Sequence, residues 1–201
     1  MVVISDIIAI SCTGCKKEVI VYIWSMNRII AIGGVSRAGK SFLADRLATQ
    51  LGRDSVRILC QDDFVLPVGQ IPMVRDHIDW ETPASIDFNR LRQTLAASGA
   101  FAWVIVEGLL VFSDPQLFRT YDFTIFIDIP KDLFLTRKAT DLRWGAEPDW
   151  YIEYIWESFL DHGQFPAGRD PDLRLDGSQD FDVELIADLL KQDQSRGLPR
   201  D

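Results

Sequence analysis

Short, fully apolar runs alternate with longer stretches of helical spacing along most of this chain. Ile29-Ile30-Ala31-Ile32 has no polar position, the pattern of a strand covered on both faces. Residues 41–51 follow with Phe42, Leu43, Leu47 and Leu51 near helical spacing and Gly52 as a stop, which predicts a helix. The alternation continues with strands expected at 56–60, 102–106, 123–129 and 173–175, and helices at 85–97, 131–142, 149–160 and 181–191. Residues 64–82, broken by Pro67, Gly69 and Pro72, read as irregular. Strands alternating with helices predict an α/β domain with a mainly parallel sheet, whose ligands bind at the carboxyl ends of the strands.

Two further apolar segments, 2–11 and 19–24, flank a glycine-containing turn and read as a β-hairpin in an extension over residues 1–25. The other reading of this region is a translation start at Met26. The main domain is expected over 26–192, with a small lid at about 137–152 and a polar tail at 193–201.

Composition narrows the classes. A chain of 201 residues with 47% hydrophobic and 25% charged residues is expected to fold as one globular domain plus a lid. Its net charge of −9 argues against nucleic acid as a partner, although a few local donors can still hold a small anion. No run reaches the length of a membrane helix, and Cys12, Cys15 and Cys60 make no disulfide framework, so a cytoplasmic location is expected. The lone CxxC at Cys12 and Cys15 lacks companion zinc ligands.

The chemistry concentrates at predicted strand ends. Gly34-Val35-Ser36-Arg37-Ala38-Gly39-Lys40-Ser41 follows a strand and opens a helix, the setting in which Gly-x4-Gly-Lys-Ser curls its amides around phosphate. Lys40 would bridge the outer phosphates, and the Ser41 hydroxyl would ligate Mg²⁺. Gln61-Asp62-Asp63-Phe64 closes the second strand with two carboxylates where an acceptor hydroxyl would meet the terminal phosphate. Val104-Ile105-Val106-Glu107 is an apolar run ending in a carboxylate suited to Mg²⁺ or its water.

Together with Ile78-Asp79-Trp80, Val106-Glu107-Gly108-Leu109-Leu110 and Leu175-Asp176-Gly177-Ser178, these segments resemble the uridine kinase and nicotinamide riboside kinase group of P-loop kinases over residues 28–190. The resemblance implies a P-loop kinase fold: a five-stranded parallel sheet in order 2-3-1-4-5, flanked by helices, with a small helical lid. It implies ATP and Mg²⁺ as cofactors, and γ-phosphoryl transfer to the 5′-hydroxyl of a small ribosyl nucleoside. Asp62, Lys40 and Glu107 take the catalytic positions. ATP is expected on Gly34, Val35, Ser36, Arg37, Ala38, Gly39, Lys40, Ser41, Phe42, Arg137, Asp176 and Gly177. The acceptor is expected on Asp62, Asp63, Phe64, Asp79, Trp80, Lys138 and Arg143. Ser41 and Glu107 take the metal positions. The lid run Thr136-Arg137-Lys138-Ala139-Thr140-Asp141-Leu142-Arg143 departs from that group, because Thr140 or Asp141 stands where a late arginine is expected. Stacking on a base would fall to Trp80, Trp144, Trp150 or Tyr151. Two alternatives stay open: a kinase for another small alcohol, and a nucleotide-binding protein without transferase activity.

Overall fold

The computed structural model describes residues 7–10, 19–22, 27–141, 145 and 147–196. Strands β1 (Ile7–Ile10) and β2 (Val19–Tyr22) pair antiparallel, with Ile7 opposite Tyr22 and Ile10 opposite Val19. Both strands fall in the 1–25 segment where a hairpin is expected, and the residues between them, with Cys12 and Cys15, lie outside the described residues.

From residue 28 the chain alternates as its apolar pattern predicts. The elements are β3 (Arg28–Gly34), α1 (Lys40–Leu51), β4 (Val56–Cys60), a small hairpin of β5 (Met73–Val74) and β6 (His77–Ile78), and α2 (Phe88–Ala96). β7 (Trp103–Gly108), α3 (Pro115–Phe118), β8 (Phe123–Asp128), α4 (Lys131–Ala139), α5 (Asp149–His162), β9 (Leu173–Asp176) and α6 (Val183–Arg196) complete it. The main sheet has spatial order β4-β7-β3-β8-β9 and every pairing in it is parallel. Counting its strands along the chain, this is 2-3-1-4-5, the expected order.

Burial explains the apolar runs. Ile30, Ile32, Ile105, Ile125 and Ile127 are fully enclosed between helical layers, together with Leu43 and Leu47 of α1. Side chains of that size contribute about 1.5–3 kcal/mol each when fully buried, which fixes the register of the three central strands. Two local differences from the sequence reading have simple causes. Helix α2 starts after residue 85 because Pro83–Ser85 forms a separate 3₁₀ turn and the Asp87 side chain caps α2 by accepting from Arg90 N at 2.9 Å. The short helix α3 is set by Asp114, whose carboxylate accepts from Gln116 N and Leu117 N.

This topology brings several sequence-marked positions to one edge. Gly34 ends β3, Cys60 in β4 stands in register with Glu107 in β7, and Asp128 in β8 with Asp176 in β9. The carboxyl edge of the sheet is where the loops carrying chemistry leave it.

Candidate active site

The loop between β3 and α1 is shaped by its glycines. Gly34 sits at φ +144°, and a Cβ there would lie 2.4 Å from the Ile127 carbonyl oxygen, so only glycine fits beside β8. Gly39, at φ +105°, immediately precedes α1, so no side chain caps the helix, and its first turn holds no carboxylate. The amides and partial positive charge of that helix end are thus left to a ligand, an arrangement that suits phosphate. Lys40 is buried, and its ammonium donates to the Val35 carbonyl at 2.9 Å across the loop.

The charges of several carboxylates act on this ammonium. Ser41 Oγ donates to Glu107 Oε1 at 2.9 Å, joining the first turn of α1 to the end of β7. Burial lowers the Lys40 pKa, while the neighbouring charges of Glu107, Asp62 and Glu81 oppose that shift. Cys60, just before Gln61 and Asp62, is a half-buried thiol pushed up to about 12 by burial and by the charges of Glu107 and Asp62. A hydroxyl and a carboxylate oxygen in contact are hard donors that fit Mg²⁺. Among the described residues no group of three His, Cys, Asp or Glu could hold a metal alone.

Gln61 and Gly108 lock the loop after β4 against β7. Gln61 Oε1 accepts from Leu110 N at 2.7 Å, and a Cβ on Gly108 would come within 2.4 Å of the Gln61 side chain. Asp62 and Asp63 are exposed on the next turn, and Phe64 is buried beneath the Arg90 guanidinium, which also donates to the Asp63 carbonyl.

Asp79 is buried; its carboxylate accepts from Tyr154 Oη at 2.7 Å and from Glu81 N at 3.2 Å. Trp80 is 38% exposed. Sequence reasoning missed Glu81, two residues further on. Its side chain is half-buried and its pKa is pushed up to about 7 by burial, opposed first by the charge of Lys138; Asp62 and Glu147 add to the rise, and Lys40 opposes it. The segment Asp79-Trp80-Glu81 offers two carboxylates, and spacing alone did not say which meets Lys40 and Asp62. Tyr151, a stacking candidate, instead stacks on His77 and donates to the Ile78 carbonyl, while Trp150 packs edge-on to His77 under Arg75.

Lid helix α4 turns Arg137 and Lys138 inward. Arg137 donates to the carbonyls of Arg37 and Gly177, at 3.1 and 2.9 Å. Lys138 is buried and lies 2.7 Å from Glu147 Oε2. Arg143 and Trp144 fall outside the described residues. Beside the lid, an open cleft of about 160 Å³ is lined by Ala38, Gly39, Phe42, Arg137, Gly177 and Phe181, among others. The Asp176 turn closes one side: its carboxylate accepts from Ser178 N, Ser178 Oγ and Gln179 Nε2, which lowers its pKa, and a Cβ on Gly177 would meet the Ala38 carbonyl at 2.7 Å. No helix among the described residues is long and apolar enough to cross a membrane.

Comparison with known proteins agrees with this geometry. The chain is 26% identical over 146 residues to a uridine kinase of Tolumonas auensis, covering 57% of this chain and 68% of that protein. It is 24% identical over 154 residues to nicotinamide riboside kinase 1 of Rattus norvegicus, covering 68% and 78%. Among solved structures, a sugar kinase from a Janibacter species aligns with a TM-score of 0.54 at 16% identity, over 85% of this chain and 96% of that one. A gluconokinase from Sinorhizobium meliloti aligns at 0.52 and 16%, over 84% and 92%. No protein-family model matches the chain. With a phosphate loop between β3 and α1 and relatives of this kind, the chain is an ATP-dependent phosphotransferase of P-loop kinase fold, similar to uridine kinases and nicotinamide riboside kinases.

Proposed function

We propose that the chain transfers the γ-phosphoryl group of ATP to the 5′-hydroxyl of a small ribosyl nucleoside, of the uridine or nicotinamide riboside type. The observation that carries this reading is the contact of Ser41 Oγ with Glu107 Oε1 at 2.9 Å next to the buried Lys40 of the phosphate loop. The charges of Glu107, Asp62 and Glu81 also act on that ammonium, so a phosphate-binding cation and acids for the acceptor side belong to one site.

In this mechanism the amides of residues 34–41 and Lys40 bind the triphosphate, with the nucleoside end of ATP along Phe42, Arg137, Asp176 and Gly177. Ser41 and Glu107 would hold Mg²⁺, which would supply charge neutralisation of the phosphates. Asp62 orients the acceptor hydroxyl and takes its proton. Glu81, with Asp79 fixed behind it by Tyr154, accepts from the remaining acceptor hydroxyls, a task for which two carboxylate oxygens suit a vicinal diol. Lys138 balances Glu81, and Asp63, Phe64, Trp80 and Arg143 border the acceptor. The kinase domain is assigned to residues 26–192 with its lid at about 137–152, the expected location is cytoplasmic, and neither nucleic acid nor a membrane enters the reaction.

The test is ADP release from Mg·ATP over a panel of nucleosides, sugars, sugar acids and pantothenate-like alcohols. Turnover with a nucleoside supports the reading, and turnover confined to a sugar or another alcohol replaces the acceptor while keeping the chemistry. Asp62→Ala is expected to retain ATP binding and lose at least about a hundredfold in kcat; near-normal kcat in that variant removes the role given to Asp62.

A further inference from the structure

The geometry points to Arg37 as a phosphate-binding side chain positioned by Asp141, so that the phosphate loop itself carries a guanidinium clamp for the outer phosphates of ATP. The inference rests on the phosphotransferase reading and adds a side-chain role to a loop otherwise working through its backbone and Lys40.

Arg37 stands in the middle of the loop at φ +65°, in the left-handed region that non-glycine residues rarely adopt. Such a conformation persists where surrounding contacts hold it. Here the contacts come from the lid. The Arg37 carbonyl accepts from Arg137 at 3.1 Å, and the Arg37 guanidinium lies 3.7 Å from Asp141 Oδ2. Asp141 follows the end of α4, donates its backbone N–H to the Lys138 carbonyl at 3.0 Å, and has a side chain only 3% exposed. A carboxylate that enclosed favours positive charge beside it, and one cation it meets belongs to the phosphate loop.

The cations of the lid helix are committed elsewhere. Arg137 spends two of its nitrogens on backbone carbonyls, and Lys138 sits against Glu147 at 2.7 Å. Arg37 is held more loosely, by one long contact from Nη1, and its side chain is 36% exposed. A guanidinium has five donors in a planar fork, so an arginine anchored on one side can present the rest to phosphate oxygens. The acid in the lid and the arginine in the loop thus form one device: Thr140 or Asp141 stands where a late lid arginine was expected, and the loop supplies a cation beside Asp141. Asp141 acts through Arg37 and touches no substrate.

Titration calorimetry of Mg·ATP into the full chain tests this with Arg37→Ala, Asp141→Asn and the double variant, alongside thermal melting without nucleotide. Arg37→Ala is expected to weaken Mg·ATP binding about tenfold or more. Asp141→Asn is expected to weaken it severalfold, and the double variant to bind no worse than Arg37→Ala, since the role given to Asp141 in nucleotide binding runs through that arginine. Arg37→Lys should recover part of the affinity by restoring charge without the fork. The proposal is overturned if Arg37→Ala binds within about twofold of wild type, if it only lowers the melting temperature, or if Asp141→Asn costs as much with Arg37 removed as with it present. Should Asp141→Asn fail to fold, Asp141→Glu replaces it, with wild-type-like affinity expected. A chain that binds Mg·ATP in an Arg37-dependent manner yet phosphorylates nothing in the acceptor panel keeps this inference and loses the transfer reading.

Discussion

Ser41 Oγ donates to Glu107 Oε1 at 2.9 Å, so the first turn of α1 and the end of β7 meet at one pair of oxygen atoms. The contact spans 66 positions in sequence and depends on β7 lying beside β3 in the sheet. In the proposed mechanism a phosphate-bound divalent cation would touch protein here.

Glu107→Gln can preserve the hydrogen bond to Ser41 while removing the charge. The Mg²⁺ concentration giving half-maximal ADP release is expected to rise about tenfold to a hundredfold. A magnesium titration of turnover checks this, and an unchanged midpoint contradicts the role assigned to the pair. Affinity for ATP in chelator should be nearly unaltered.

Glu81 makes stability depend on pH with a definite sign. Its ordinary value of 4.5 is pushed up to about 7 by burial, so between those pH values the folded chain holds a proton that the unfolded chain releases. This contribution is present in full below about pH 4.5 and is lost as pH rises through about 7. Relative to Glu81→Gln, the wild-type melting temperature should fall steadily from about pH 5 to about pH 8. A difference between the two proteins that stays constant over that range removes the proposed burial of this carboxyl group. Lys138, Asp62, Glu147 and Lys40 face Glu81 and are unaltered in the comparison.

The Lys138–Glu147 pair predicts an asymmetric mutation result. Lys138→Met leaves the Glu147 and Glu81 carboxylates without their nearest cation and should cost about 3 kcal/mol, read by denaturant unfolding. Adding Glu147→Leu should recover much of that loss, because the uncompensated charge is the cost. Equal destabilisation in the single and double variants argues that packing, not charge, is what Lys138 supplies.

The sheet was legible because its strands are buried on both faces, and burial on both faces leaves no polar position in a run such as Ile29–Ile32. Its order followed from the family resemblance more than from periodicity. The phosphate loop was legible in full, since its backbone needs glycine at Gly34 and Gly39 and a cation at Lys40, each visible as a residue type. What periodicity did not show was direction. Asp79 and Glu81 are two residues apart, and only the fold assigns Tyr154 to one and Lys138 to the other. The lid departed from pattern at Asp141, but its partner Arg37 lies far earlier in the chain, a pairing that no local rule reaches. The hairpin of β5 and β6 was missed because two-residue strands carry no periodic signal.

Every step of the transfer depends on a triphosphate bound by residues 34–41, and calorimetric titration of Mg·ATP into wild type and Lys40→Ala tests that most directly. Saturable one-to-one binding by wild type, weakened about tenfold or more in the variant, is the predicted result. Equal affinity in the two proteins, or no binding by wild type, would contradict it.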